Sequence, residues 1–558
     1  MTAPGRERHG LLSDQRSDEH FGNMMASSQA DQLYDFCARA VWEIYEECTS
    51  ILSASSQTGK TTISPLSGCG PALIDLLSRQ ALQVHTCYES PDEVTSNPPP
   101  ERLALIQKRL DDIISIAYGK FYAFLFQDLP VCWRQLYTDA SILKFCFTVL
   151  YTPYVGTHSR MSKSQPIAIS SVTCDLGELV KTLDLAIVMA GAAGEHRGRR
   201  WIDQALELLQ LAWIKVADEG SLPPPGRPLK RTKLSTDSIA HGLGLKERRV
   251  TAFSTDEPFT PSVKHPIKTV DVLSMEQFQA HMDRPQNSKL GPEPLVLRHA
   301  IDEWPALTTC PWKDPSYLLS QTFSGRRLVP VEIGRSYVDA GWGQKLISFG
   351  ELLEDYIDPT LSKGKGKVEA TDESQDYPAT TAPPVAYLAQ HPLFSQLPAL
   401  RSNILIPDYC YTSPPPHPTD PRMDQPELDE PLLNAWFGPP GTITPLHTDP
   451  YHNVLAQVVG RKYVRLYSPL ETYRMRARGK EDGVEMGNTS LIDVGVVEGW
   501  DIAPFDDEMT NAQHIAAFKD VPFVDCILEP GDLLYIPIGW WHYVRGLSVS
   551  FSVSFWWN

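Results

Sequence analysis

Near residue 260 the spacing of apolar side chains changes from a helical to a strand period, so the chain must fold as two differently built halves. Upstream, Leu33, Phe36, Cys37, Ala40, Val41, Ile44 and Tyr45 recur every three or four residues, which places them on one face of an amphipathic helix. Similar stripes at 71–86, 101–126, 130–151, 175–191 and 198–216 predict an all-helical domain over residues 30–218. No fixed repeat length relates them, so no named solenoid is indicated. Residues 1–29 are polar and aperiodic and are expected to form a disordered tail. Residues 219–260, which include SLPPPGRPLKRTKLSTDS, are expected to be a linker. Its Lys230, Arg231 and Lys233 read either as a nuclear import cluster or as a solvated linker.

Downstream come PLVLRH (294–299), RLVPVEI (327–333), NAWFG (434–438), HNVLAQVV (452–459), KYVRLYSP (462–469), VDCILEPGDLLYIP (524–537) and VSFSVSFWW (549–557). Short strands parted by turn signals predict a β-sandwich or barrel over 261–558 and an α+β chain as a whole. Two stretches interrupt the strands: a low-complexity insertion at 359–384, expected to be disordered, and a second insertion at about 474–511.

Hydrophobic residues make up 42% and charged residues 21%, enough to bury real cores. Lys plus Arg number 50 against 68 Asp plus Glu, and 50 − 68 = −18 argues against direct nucleic-acid binding and suits a basic polypeptide partner. The ten cysteines contain no C-x-x-C pair, which excludes the common zinc fingers, and they read as reduced, buried thiols. The N-terminus lacks the apolar core of a secretory signal, and no apolar run reaches the roughly 18 residues of a membrane span. A nuclear or cytoplasmic protein without a membrane segment is expected.

The chemistry concentrates in TITPLHTDPYHN, residues 442–453. His447 and Asp449 stand two apart, so on an extended strand both project to one face and can meet a single metal ion. An H-x-D pair by itself arises by chance. PGDLLYIPIGWWH, residues 530–542, is a turn, an apolar strand and a second turn ending at His542, which a sandwich can carry back beside the first pair. The alternative for His542, between Trp541 and Tyr543, is an aromatic core residue. Two histidines and one carboxylate on one face of iron leave positions free for a cosubstrate and O₂. A 2-oxo acid chelating there needs a cation and hydroxyl donors for its far carboxylate, and Lys462, Thr444 and Asn453 lie nearby in sequence. Lys462 reads equally well as the exposed end of a hairpin after Gly460.

HTDPYHN, Lys462, PGDLLYIPIGWWH and the ending SFSVSFWWN resemble the JmjC-domain Fe(II)/2-oxoglutarate oxygenases. YLAQHPLF, IPDYC, NAWFGPPGTITPLHTD and VPVEIGRSYVDAGW extend the likeness to the JmjC-only arginyl-hydroxylase branch, also named lysine demethylase eight, over about residues 262–558. The resemblance implies a double-stranded β-helix of the cupin jelly-roll type. It implies His447, Asp449 and His542 as iron ligands, with Lys462, Thr444, Tyr387 and Asn453 as 2-oxoglutarate contacts and Trp436 lining that pocket. Glu332 and Trp342 match positions that contact a substrate arginine, since a carboxylate can pair a guanidinium in bidentate fashion. Thr444 stands where serine also occurs, which keeps the hydroxyl.

The cofactor set so implied is Fe(II), 2-oxoglutarate and O₂, the substrate a protein or peptide. Hydroxylation of arginine is the leading expectation, with N-methyl-lysine demethylation by the same iron chemistry as the alternative. A non-catalytic scaffold and a cupin-like metal enzyme that uses no oxo acid stay open as further alternatives. The helical half is expected to bind a protein partner. A fragment starting near residue 255 is expected to retain iron binding.

Overall fold

A computed structural model of the chain describes residues 29–54, 64–89, 100–124, 128–151, 169–219, 252–338, 341–362, 385–481, 484–502 and 512–558. Nearly all of the expected N-terminal tail, the basic cluster Lys230–Lys233 and residues 363–384 lie outside them. The chain divides into two compact units, Met1–Gly242 and Leu243–Asn558. Among the described residues no helix is long and apolar enough to cross a membrane.

The first unit is helical, as its periodicity predicts: α1 (Gln29–Ala54), α2 (Pro71–Glu89), α3 (Pro100–Phe121), α4 (Val131–Tyr151), α5 (Ile169–Ala190) and α6 (Arg199–Glu219). The stripe of α1 is its buried face, with Leu33, Cys37, Val41, Ile44 and Cys48 fully inside. A buried ionic cluster joins distant segments here. Arg197 pairs with Glu47 of α1 and, at 3.2 Å, with Asp139 of α4.

The second unit opens on a strap that the sequence reading assigned to the linker. Phe253 is buried against Phe437, with ring centroids 5.8 Å apart, and Glu257 pairs with Arg461 at 2.7 Å. The polar composition of 252–260 conceals these two anchors, so these residues belong to the strand-rich unit and not to a spacer. Farther along, the Asp525 carboxylate accepts from the backbone N–H of His265 at 2.7 Å and from Tyr463 Oη at 2.9 Å. We expect Phe253→Ala to cost this unit about 3–5 kcal/mol, the usual penalty for emptying a core phenylalanine site. Denaturant unfolding checks this, and a loss under 1 kcal/mol contradicts the anchoring role.

After β1 (Thr269–Val270), the capped helix α7 (Met275–Asp283), β2 (Leu295–Leu297), β3 (Leu328–Ile333), β4 (Gly343–Ser348) and β5 (Ala386–His391), the jelly roll proper begins. It comprises β6 (Leu432–Gly438), β7 (Ile443–His447), β8 (His452–Val459), β9 (Lys462–Tyr467), β12 (Phe523–Leu528), β13 (Leu533–Ile536), β14 (Trp541–Gly546) and β15 (Ser550–Trp557). Between β9 and β12 lies a small hairpin of β10 (Lys480–Glu481) and β11 (Val484–Glu485). The major sheet runs β1-β2-β13-β8-β15-β6-β5-β3-β4 and the minor one β12-β9-β14-β7.

Val296, Leu455, Leu534 and Ile536 of the major sheet share one core with Val464, Leu466, Leu528 and Val544 of the minor sheet. The two sheets therefore face each other as a double-stranded β-helix. Period-two patterning divides β15: Phe551, Val553 and Phe555 pack the outer core, while Ser552 and Ser554 bond Gln457 and Trp436 on the other face. Small residues on that face leave room between the sheets.

The stretch expected as a second insertion, about 474–511, is folded where it is described. It carries the β10–β11 hairpin, lays Asn488–Ser490 along β7, and forms a short helix Val494–Glu498 that Asp493 caps. Ile492, Val494 and Val497 cover the outer face of the minor sheet.

Candidate active site

β7 ends on His447, and β14 pairs antiparallel with it so that His542 stands directly opposite. An irregularity in register between His542 and Val544 adjusts the strand at that point. The turn leading into β14 depends on Gly539, at φ +81°, where an added Cβ would lie 2.6 Å from the His417 ring. The two imidazole centroids are 4.1 Å apart. Asp449, in the turn after β7, brings Oδ1 to 3.5 Å from His447 Nε2 and Oδ2 to 3.5 Å from His542 Nε2.

One ligand atom from each of the three lies within 4.8 Å of the others. Each imidazole has a carbonyl beside Nδ1, Pro445 O at 2.8 Å for His447 and Trp540 O at 3.1 Å for His542. A carbonyl only accepts, so Nδ1 carries the proton and donates, and both Nε2 atoms turn lone pairs toward the carboxylate. Buried lone pairs converging on one point repel unless a cation sits among them, so the donor set fits a divalent metal.

The triad opens into a pocket whose wall also includes Tyr387, Trp436, Thr444, Asn453 and Lys462. All eight residues assigned to metal and cosubstrate thus share one space. Asn453 Nδ2 donates to Asp449 Oδ2 at 3.2 Å, while its Oδ1 is buried without a partner. Thr444 bonds Tyr387, and Trp436 Nε1 donates to Ser554 Oγ at 2.9 Å, which fixes the indole against the cavity. Lys462 is 1% exposed, so it is no hairpin-end lysine in solvent. Among the described residues its Nζ finds only Tyr387 Oη and the Trp436 carbonyl, each at 3.4 Å. Burial without a carboxylate counter-ion pulls it down from 10.5 to about 7.

Glu332 lies on β3 opposite Tyr387, one strand beyond the cavity wall. It is hydrogen-bonded to Trp342, and burial raises its carboxyl above the ordinary range. These two therefore meet each other but do not line the cavity itself. The sequence reading missed Leu455, Ile536 and Val544, which dry the cavity, because their alternation is that of any core strand. It also missed Tyr337 and Thr489, whose hydroxyls are 3.2 Å apart.

A two-histidine, one-carboxylate centre between the sheets of a double-stranded β-helix defines a cupin-type metalloprotein. A family described as "Cupin-like domain" matches residues 285–558. "Lysine-specific demethylase 8" of Xenopus tropicalis is 39% identical over 414 residues, covering 70% of this chain and 80% of that protein. Its namesake in Danio rerio is 38% identical over 310 residues, 54% of this chain and 64% of that protein. "Lysine-specific demethylase JMJ30" of Arabidopsis thaliana is 39% identical over 265 residues, 48% and 50% respectively. The chain thus spans between half and four fifths of these relatives. It belongs to the JmjC family of Fe(II)/2-oxoglutarate oxygenases.

Proposed function

We propose that the chain is a protein hydroxylase dependent on Fe(II) and 2-oxoglutarate, acting on arginine side chains of a basic protein or peptide. The observation that carries the cosubstrate assignment is Lys462, a buried ammonium that lines the same cavity as the triad and, among the described residues, is paired with no carboxylate. His447, Asp449 and His542 would hold the iron. Iron held there would let O₂ act as the oxidant: 2-oxoglutarate would give succinate and CO₂, one oxygen atom entering succinate and the other a substrate C–H bond.

The protein's part is binding and exclusion. Lys462 pairs the far carboxylate of the diacid, with the Tyr387 and Thr444 hydroxyls beside it. Asn453 holds Asp449 in place, and its free Oδ1 can accept a further donor. Leu455, Ile536 and Val544 keep water from the reacting centre.

Glu332 supports arginine as the target, because a half-buried carboxylate fastened by an indole suits a planar guanidinium. The names of the relatives favour a second reading, demethylation of N-methyl-lysine by the same chemistry. Mass spectrometry of arginine-containing basic peptides separates the two. One added oxygen on arginine, lost in Glu332→Ala, is expected. Loss of a methylene mass from methyl-lysine with arginine untouched contradicts the hydroxylase reading. We place the protein in the nucleus or cytoplasm and assign partner binding to the helical unit.

A further inference from the structure

Residues 484–501 do more than cover the outer face of the minor sheet. They run alongside the strand that ends in His447: Ser490 N donates to Leu446 O at 2.8 Å and Thr448 N donates to Asn488 O at 2.9 Å, leaving Thr489 opposite His447 itself. Thr489 is 2% exposed, and its hydroxyl reaches Tyr337 Oη at 3.2 Å. Tyr337 belongs to the loop after β3 and lies within electrostatic reach of Glu332, Asp449 and Arg478. Between Arg335 and Tyr337 the hydroxyl of Ser336 is buried without a partner.

An ionic clasp locks the two segments together. Arg335 bonds Asp493 at 3.0 Å and Asp501 at 2.9 Å, and Asp501 also pairs with Arg545 of β14 at 2.8 Å. The Arg335 carbonyl accepts from Ile443 N at 3.0 Å, at the start of β7. One arginine therefore ties the loop after β3, the segment 484–501 and the strands that carry His447 and His542 into one frame.

We infer that Thr489, set against Tyr337 by the Arg335 clasp, is a specificity-determining residue of the substrate mouth, and that Arg335 is its positioning residue. The inference rests on the arginine reading above and deepens it. A guanidinium presents five N–H donors in a plane. Glu332 can take two of them, and the Tyr337–Thr489 hydroxyl pair, of which Tyr337 lies within electrostatic reach of Glu332, can supply acceptors on a second edge. A methylated ammonium has fewer donors and gains less from that edge.

The test uses the full-length protein loaded anaerobically with Fe(II) and 2-oxoglutarate. Calorimetry follows N-acetyl-arginine amide, with its citrulline counterpart as control, and the visible absorption of the loaded centre reports 2-oxoglutarate. Thr489→Val should weaken the arginine probe about fivefold, the worth of one hydrogen bond. Thr489→Ser, which keeps the hydroxyl, should restore it. Arg335→Ala should weaken the probe about tenfold or more, with partial recovery in Arg335→Lys. The 2-oxoglutarate signal should persist in every variant.

Wild-type affinity in Thr489→Val overturns the inference, as does loss of the 2-oxoglutarate signal together with the probe, because the residue then serves the metal site. A wild type that binds arginine no better than citrulline also overturns it and removes the arginine assignment. Absence of the 2-oxoglutarate signal from the wild type is a different failure, that of the oxygenase reading.

Discussion

Lys462→Met should weaken 2-oxoglutarate binding by about two to three orders of magnitude and, at the same time, make the free protein more stable. The first effect follows from removing the lysine of the cavity, since truncating a partner of a buried charge pair costs ~2–5 kcal/mol. The second follows from the state of the lysine before the diacid arrives. It is buried, bonded to a phenol and a carbonyl, and held down to about 7.

Each pH unit of such depression corresponds to ~1.4 kcal/mol. Because the folded protein holds the proton less tightly than the unfolded chain, this cost is full below about pH 7 and fades as pH rises toward 10.5. Methionine removes it. Denaturant midpoints at pH 7 should rise as the cosubstrate affinity falls, and a variant that loses both shows that Lys462 is structural. The same sign governs binding. The diacid selects the ammonium form, so affinity should be level below about pH 7 and weaken by up to about tenfold per pH unit above it.

His542→Ala should reduce iron affinity by more than the roughly 100-fold that loss of a mere supporting group costs, because it deletes one of three donors. The fold should survive, since β14 keeps its backbone pairing to β7 and β9. Calorimetric titration with Fe(II) under argon measures this. Retention of wild-type affinity means that the metal is held elsewhere.

Much of the site was legible because it is local. His447 and Asp449 stand two residues apart, and the apolar strand and turn before His542 announce a return to the same place. Tyr387 and Trp436 followed only from the resemblance, and the geometry brings them around one space with the other six. What sequence could not convey depends on contacts between distant polar segments. Lys462 could be an exposed hairpin end or a buried cation, and only the closed sandwich separates the two.

Phe253 lies in a polar stretch where a single aromatic carries no period, so its burial against Phe437 was invisible. The segment after Arg474 reads as an excursion because its pairing with β7 runs through backbone groups and short hydroxyl side chains. Arg335, Asp493 and Asp501 are ordinary surface types until the fold makes them neighbours.

The sharpest test of the whole account is an anaerobic titration of the full-length protein with Fe(II) and 2-oxoglutarate. A visible charge-transfer band is expected in the wild type, abolished by His447→Ala and shifted to much higher 2-oxoglutarate concentration by Lys462→Met. No band in the folded wild-type protein, or one that survives in His447→Ala, contradicts it.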